Sequence, residues 1–176
     1  MDIDTVFPVF SALPILKELP ESFFQFRFDG FPSPKRHWAF CGEIVEDCLT
    51  KKDDHKTVVR CRSAVSVPVI FLFEKDAPCT FKWKELKKGH TMFVMYAEQD
   101  PVTKGIRVEA LDYVAVVCKP LDVVLDLLKQ GKNFDDEKLE LVVKNVNCEW
   151  KDEYKPFPIV GKMPVMSDFF GKGTVE

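Results

Sequence analysis

Histidine and cysteine side chains are the first candidates for chemistry, because they can ligate metals and act as nucleophiles or bases. The chain has three histidines and six cysteines, and no CxxC pair. His37 and Cys41 stand four residues apart, which along a strand is about 13 Å at the usual rise of ~3.3 Å per residue. No spacing pairs a histidine with a cysteine as base and nucleophile. We therefore expect no metal, no cofactor and free thiols.

Carboxylate pairs are the next candidates, since acid–base catalysis often uses two of them. Adjacent acidic residues occur at 53–54, 135–136 and 152–153, all in polar segments. Solvated carboxylates of this kind rarely acquire the separated pKa values that catalysis needs. The sequence also lacks GxGxxG, GxxxxGK[ST], GxSxG and HExxH motifs, which excludes the most common nucleotide-binding and hydrolase mechanisms. The sequence thus has no catalytic motif and favours a non-catalytic protein, with an enzyme whose pocket works by shape and a few polar groups as the open alternative.

Cationic and aromatic side chains are better candidates, and the chemistry they indicate is binding. Proteins that bind single-stranded nucleic acid combine stacking aromatics with a cationic groove, and neighbouring arginines can hold a phosphate or a carboxylate. Arg60 and Arg62 alternate with apolar residues, so we expect both on one face of a strand. The candidate binding residues are Trp38, Arg60, Arg62, Trp83, His90, Tyr96 and Arg107.

Trp83 has two interpretations, because Lys82 and Lys84 flank it. It either seals one end of a core or lies exposed in a basic patch. The first is favoured, since apolar residues of a short connecting helix usually face the core. His90 follows Gly89 at the start of a strand, where it can bond to the backbone or face a groove.

The elements that must position these residues are five apolar, β-branched and aromatic runs. A charged, helix-forming segment at 82–89 separates the third run from the fourth. The order strand, strand, strand, short helix, strand, strand is that of the OB-fold, a five-stranded Greek-key barrel. We therefore predict a mainly β protein with an OB-like closed barrel. The five predicted strands are 38–46, 58–64, 67–73, 91–97 and 106–117.

Two connections frame the binding groove of an OB-fold. Here they correspond to a polar loop or hairpin connection at 47–56 and a turn at 100–105. Lys51, Lys52, His55 and Lys56 of the first loop are further candidate contacts, although a solvated charge run is the simpler interpretation. Gly42, in the middle of the first strand, predicts a bulge or sharp bend.

The chain divides into three parts. Residues 1–36 form an N-terminal arm with a short helix at 11–19 and a Phe-rich strand at 24–28; residues 37–131 form the barrel and a closing amphipathic helix at 121–128. Residues 132–176 form a C-terminal arm, predicted to wrap the domain. The apolar face of the Phe-rich strand either packs on the barrel or forms an exposed patch for a partner.

Composition sets the remaining limits. The chain has 176 residues, 46% of them hydrophobic and 30% charged, as expected for one soluble domain. Its net charge of −3 disfavours nucleic acid without excluding a local basic stripe. The N-terminal sequence lacks a secretory signal pattern, and no apolar run reaches the roughly 18 residues of a membrane span. We expect an intracellular protein without membrane contact.

Several short strings carry a family resemblance: GHT at 89–91, YAEQ at 96–99, GIRVE at 105–109 and the helix that begins at Pro120–Leu121. They resemble the region that precedes the zinc finger in MYND-type proteins of mushroom-forming fungi, over about residues 37–130. Only Cys148 follows Cys118 and no histidine follows His90, so the finger is absent and its zinc cannot be inferred. The resemblance implies a fungal, intracellular barrel module.

The leading hypothesis is a non-catalytic binding or interaction module for a protein segment or single-stranded nucleic acid. The ligand would lie on the face of Arg60 and Arg62. The alternative is a small-molecule enzyme or binder, which a fungal source would connect with secondary metabolism. Its aromatic-lined pocket would use Arg107, His90 or Tyr96 as the polar group. A third hypothesis is self-association through the Phe-rich arm.

Overall fold

The computed structural model describes residues 2–26, 30, 32–51, 54–72, 82–131 and 134–147. Strands predominate among them, as the sequence predicts. Single 3₁₀ turns occur at Phe10–Ala12, Trp83–Glu85 and Leu111–Tyr113. The strands are β1 (Phe24–Phe26), β2 (Pro32–Pro34), β3 (Ala39–Lys51), β4 (Asp54–Cys61), β5 (Ser66–Phe71), β6 (Thr91–Met95), β7 (Gln99–Asp100), β8 (Gly105–Val108) and β9 (Val114–Val117). The helices are α1 (Ile3–Val6), α2 (Leu121–Gln130) and α3 (Glu137–Asn147).

Seven of these strands form one mixed sheet in the order β7-β8-β5-β4-β3-β6-β9. All neighbouring strands are antiparallel except β5 and β8, which are parallel. The expectation of a closed five-stranded barrel is therefore corrected, because the hydrogen-bonded ladder has two ends, β7 and β9. The physical reason lies in the segment 106–117, which is not one strand. A 3₁₀ turn at Leu111–Tyr113 divides it into β8 and β9, and Leu111 is buried.

The first hairpin also differs from the prediction. β3 continues to Lys51 and β4 begins at Asp54, so most of the polar segment 47–56 is strand rather than loop. Thr50 pairs with His55 across this ribbon. Ladder bonds join backbone groups, so polar residues can extend a two-stranded ribbon beyond the apolar core.

Gly42 does not mark the bulge. The register between β3 and β4 shifts between Ile44 and Glu46 and again between Glu46 and Leu49. Gly42 instead allows close packing, because an added Cβ would meet the Cβ of Val59 at 3.2 Å.

Two apolar cores lie on opposite sides of the sheet. The inner core combines one face of every long strand with Leu13, Phe23 and Leu86. It contains Ile106 and Val108 of β8 together with residues of β9, so β9 at one end of the ladder and β8, the second strand from the other end, share one core. The outer core joins the other face of β3, β6 and β9 to α2 and α3. The β9 residues of the inner core are Val114 and Val116, and those of the outer core are Ala115 and Val117.

The N-terminal arm is built differently from the prediction, since no helix forms at 11–19. Pro14 and Leu16 bond instead to Gln99, whose N–H donates to Pro14 O and whose carbonyl accepts from Leu16 N–H, both over 2.8 Å. Ile15 thereby forms a parallel bridge to the edge strand β7. Residues 32–34, for which no strand is predicted, form β2 and pair with β1.

The Phe-rich strand is partly buried. Phe23 lies in the inner core, Phe24 is half-buried and Phe26 is 68% exposed, while position 28 lies outside the described residues. Only part of this arm therefore packs on the sheet.

The closing helix is confirmed as α2. It begins after Pro120 and ends at Gly131, whose φ of +62° gives the left-handed C-cap. α3 follows and buries Leu139, Val142 and Val146. The rest of the predicted wrapping arm, from 148 onward, lies outside the described residues.

Candidate functional site

The outer side of the sheet is covered unequally. α2 and α3 bury the outward residues of β3, β6 and β9. The outward side chains of β4, β5 and β8 are exposed or half-buried instead, and among the described outward positions only Gly105 is buried. We call this second surface the open face, and it consists of Lys56, Val58, Arg60, Pro68, Ile70 and Arg107.

Strand register fixes the layout of the open face. Ile70 lies opposite Lys56 on one side and Arg107 on the other, so these three residues form a row across the sheet. Val58 lies opposite Pro68 in the middle of the face. Gly105 is beside Pro68, where a Cβ would come within 2.3 Å of the Pro68 carbonyl oxygen. The middle of the face therefore carries short apolar side chains, and cationic side chains surround it.

Each arginine of the open face is held by carboxylates. Arg60 Nη2 donates to Glu43 Oε1 over 3.3 Å. Arg107 Nη2 donates to Glu109 Oε1 over 3.0 Å, and its Nε lies 3.9 Å from Asp100 Oδ2. These contacts orient the guanidinium groups and neutralise part of their charge.

Asp100 is the most constrained of these carboxylates. Burial raises its pKa, but hydrogen bonds from Val102 N–H and Thr103 Oγ1–H and the charge of Arg107 lower it more, so the net shift is downward. Asp100 therefore stays ionised and fixes both the turn after β7 and the orientation of Arg107.

Arg62 lies apart from Arg60. It follows the end of β4 and forms an ion pair with Asp4 of α1. The two arginines thus bind different acids, and the structure does not bring them together around one anion.

Trp38 and Tyr96 lie in an aromatic cluster at one end of the inner core. Trp38 is 1% exposed, and its ring contacts Phe23 and Tyr96 at centroid distances of 4.8 and 5.1 Å. The hydroxyl of Tyr96 is hydrogen-bonded to His37 Nδ1. Tyr96 is half-buried and has a φ of +51°, an uncommon conformation for a bulky residue. Trp38 therefore packs the core and cannot stack on a ligand.

Trp83 and His90 lie at the opposite end of the inner core. Trp83 is half-buried, stacks on His55 at 4.7 Å and meets the edge of Phe71 at 5.4 Å. His90 Nδ1 is 2.7 Å from the carbonyl oxygen of Glu85. These contacts agree with Trp83 sealing the core.

The polar groups expected around a small-molecule pocket do not converge. His90 and Tyr96 stand at the two ends of β6, about 20 Å apart at the usual rise along a strand. Among the residues that the structure describes, no three His, Cys, Asp or Glu side chains form a metal-binding group. Cys41 belongs to the outer core, whereas His37 bonds to Tyr96.

Sequence reasoning missed the apolar part of the open face, namely Val58, Pro68 and Ile70. Their residue types resemble core residues. Their outward parity within β4 and β5 is the only sequence signal, and it shows nothing about which faces the helices cover.

In comparisons with known proteins, no protein-family model matches this chain and no curated protein is significantly similar to it. The resemblance to fungal MYND-type proteins and the intracellular location therefore stay predictions. Within the described part of the chain, no helix has both the length and the apolar character needed to cross a membrane.

Proposed function

We propose that this protein is a non-catalytic, OB-like interaction module that binds an extended protein segment on its open face. The observation that carries the proposal is the unequal covering of the sheet. α2 and α3 bury one outer side, whereas the other presents three half-buried apolar side chains, Val58, Pro68 and Ile70, between cations.

The strand connections support an OB-like arrangement that is open between β8 and β9. The first long strand, β3, pairs with both β4 and β6. β8 runs parallel to β5, and β9 runs antiparallel to β6. OB-folds bind their ligands on the face formed by the second and third strands. In this chain those strands are β4 and β5, which form most of the open face.

The chemistry of the open face favours protein over single-stranded nucleic acid. Nucleic-acid binding of this kind needs aromatic side chains on which bases stack. None of the six open-face residues is aromatic, and the candidate tryptophans pack in or against the inner core. An extended peptide instead places alternate side chains on an apolar strip while its other side faces water.

A phage-displayed library of random peptides, selected on the purified protein, tests this proposal. Enriched peptides are synthesised with a fluorescent label, and their affinities are measured by fluorescence anisotropy. We expect Ile70→Asp to weaken binding at least about tenfold, because it places a desolvated charge in the apolar strip. Amide chemical shifts of Val58, Ile70 and Arg107 should respond to the same peptides.

Val123→Asp is the matched control, since Val123 is a 43% exposed apolar residue of α2 on the covered side. Equal affinity of the selected peptides for the wild type and Ile70→Asp would contradict the proposal. So would tight, salt-dependent binding of an oligothymidylate probe in the absence of any peptide ligand, which would favour nucleic acid.

A further inference from the structure

A lysine-rich segment lies at one end of the sheet, against the inner core. Lys82, Lys84, Lys87 and Lys88 are all exposed, and we call them the lysine cluster. Leu86 is 2% exposed and anchors the segment in the inner core, together with the half-buried Trp83. Apolar residues thus hold the segment in place while its lysines extend into solvent.

Backbone contacts make this segment a fixed platform. Lys88 N–H donates to Asp47 Oδ1 over 2.7 Å. Gly89, with a φ of +84°, donates its N–H to Ile44 O over 2.8 Å. These bonds fix the backbone of Lys88 and Gly89 against β3.

The lysine cluster carries positive charge that ion pairs among the described residues do not neutralise, while the charge of Lys82 also acts on the Glu85 carboxylate within the segment. No carboxylate among the described residues forms an ion pair with any of its four ammonium groups. Glu85, the acid within the segment, binds Lys138 of α3 over 2.6 Å. By contrast, Arg60, Arg62 and Arg107 all have carboxylate partners. The cations available to an incoming anion are thus mainly lysines, although the whole chain has a net charge of −3.

The lysine cluster lies beyond the Lys56 end of the sheet. Trp83, between two lysines of the cluster, stacks on His55 at 4.7 Å on the inner-core side of β4. His55 and Lys56 are consecutive residues of β4, so their side chains point to opposite faces, and Lys56 lies opposite Ile70 on the open face. A chain that lies along the open face would reach the cluster by passing the end of β4.

We propose that the partner segment is acidic at one end, and that its carboxylates bind the lysine cluster while its apolar part lies on the open face. This inference rests on the proposed function and adds the chemistry and placement of the partner. Ammonium groups on flexible stems suit a run of carboxylates, because they impose no planar, bidentate geometry. Charge complementarity of this kind contributes mainly to association rate and specificity.

Two measurements test the inference with the peptides selected above. The first compares the wild type with a variant in which all four lysines of the cluster become glutamine. We expect the variant to bind roughly tenfold more weakly at low salt, as the sum of several weak surface pairs, and the difference to shrink as salt rises. Replacing the four lysines by arginine should keep the affinity, and a Lys129→Gln, Lys144→Gln variant of the helical side is the matched control.

The second measurement is zero-length carbodiimide crosslinking, which joins a carboxylate to a lysine amine directly. Mass spectrometry should find the acidic end of the peptide joined to lysines of the cluster, and not to Lys129 or Lys144. Peptides resynthesised with glutamine in place of glutamate should bind the wild type and the glutamine variant equally.

The outcomes separate the two proposals. If Ile70→Asp weakens peptide binding but the glutamine variant does not, the open face binds peptides and the acidic-end inference is wrong. Selected peptides without acidic residues would likewise contradict the acidic-end inference alone. If the glutamine variant loses only an oligothymidylate probe, the cluster binds nucleic acid and the inference is also overturned.

Discussion

The indole Nε1 of Trp38 donates a hydrogen bond to the carbonyl oxygen of Ala97 over 3.0 Å. This bond joins the start of β3 to the turn that follows β6, inside the aromatic cluster with Phe23 and Tyr96. It satisfies the one polar group of a fully buried side chain.

Replacing Trp38 by phenylalanine should therefore destabilise the fold. The substitution removes the donor and leaves the Ala97 carbonyl without it, and it opens space in the cluster. We expect a loss of about 2–4 kcal/mol in the free energy of unfolding, measured with urea. Phe26→Leu, at a 68% exposed position, should change this free energy by less than about 0.5 kcal/mol. An equally small effect of Trp38→Phe would show that the bond contributes nothing.

Glu98 should make stability fall as pH rises through neutrality. Burial, and then the charge of Glu109, raise the pKa of Glu98 from 4.5 to about 7. The folded protein therefore binds a proton that the unfolded chain releases, and this contribution to stability is full below about pH 4.5 and lost above pH 7.

Glu98→Gln should accordingly stabilise the protein at pH 8 by about 1–3 kcal/mol, with little gain at pH 4.5. Urea unfolding at the two pH values measures the difference. Lys104→Gln, at an exposed turn position, is a control that should show no such pH dependence. A gain from Glu98→Gln of equal size at both pH values would contradict the role of its charge.

The Lys138–Glu85 ion pair joins α3 to the 3₁₀ turn at Trp83–Glu85. Burial raises the pKa of Glu85, but the hydrogen bond and charge of Lys138, together with the backbone N–H and charge of Lys82, lower it by more, so the net shift is downward. The pair therefore stabilises the fold above the pKa of the unfolded glutamate, and this contribution is lost as pH falls through the lower folded value.

Lys138→Met should cost about 0.5–1 kcal/mol near neutral pH, since both side chains are partly exposed. The cost should vanish in acid. A double-mutant cycle with Glu85→Gln isolates the pairwise energy, and a coupling near zero would show that the two groups act independently.

Gly105→Ala should be among the most damaging alanine substitutions. The new Cβ would lie 2.3 Å from the Pro68 carbonyl oxygen, so β5 and β8 would have to separate. We expect a loss of about 2–4 kcal/mol. Gly131→Ala provides the comparison, because its Cβ meets open space and only its φ of +62° opposes the change, at a cost of about 1 kcal/mol. A larger loss at Gly131 than at Gly105 would contradict this order.

Thiol reactivity should follow burial. Cys118 is exposed, whereas Cys41 and Cys61 are buried. Burial raises the pKa of Cys41 far above the ordinary thiol value. Burial also raises the pKa of Cys61, but hydrogen bonds with Ser63, Phe10 and Val65 lower it by more, for a net downward shift.

Maleimide labelling of the folded protein, followed by mass spectrometry of its peptides, should find Cys118 modified before Cys41 and Cys61. Cys41 and Cys61 should react only when urea unfolds the chain. Labelling of Cys41 before Cys118 in native buffer would show that the outer core opens readily.

The strands were predictable because their apolar periodicity is strong, but the ends of the sheet were not. Residues 91–95 are buried throughout, so alternation could not show which side chains face which core. The ribbon at 47–56 lacks apolar periodicity. The segment 106–117 is divided into β8 and β9 by a 3₁₀ turn in which Leu111 is buried. An apolar residue such as Leu111 looks like a strand residue in the sequence, so the sequence does not indicate this turn.

The candidate site also has parts that the sequence predicts and parts that it does not. The outward positions of Arg60 and Arg107 follow from alternation along their strands. The pairing of Arg62 with Asp4 joins distant parts of the sequence, which spacing cannot indicate. Ile70 is accessible because the helices cover β3, β6 and β9 instead of β5. Which strands the helices cover is set by tertiary packing, which local sequence patterns do not show.

Residues 105–117 supply side chains to both cores and occupy places near both ends of the sheet. A nascent chain that has passed Met95 already has four long strands, yet it still lacks the segment on which two hydrophobic layers converge. Neither layer can therefore be completed until residues 105–117 have been synthesised, and until then the growing polypeptide exposes the apolar surface of both layers.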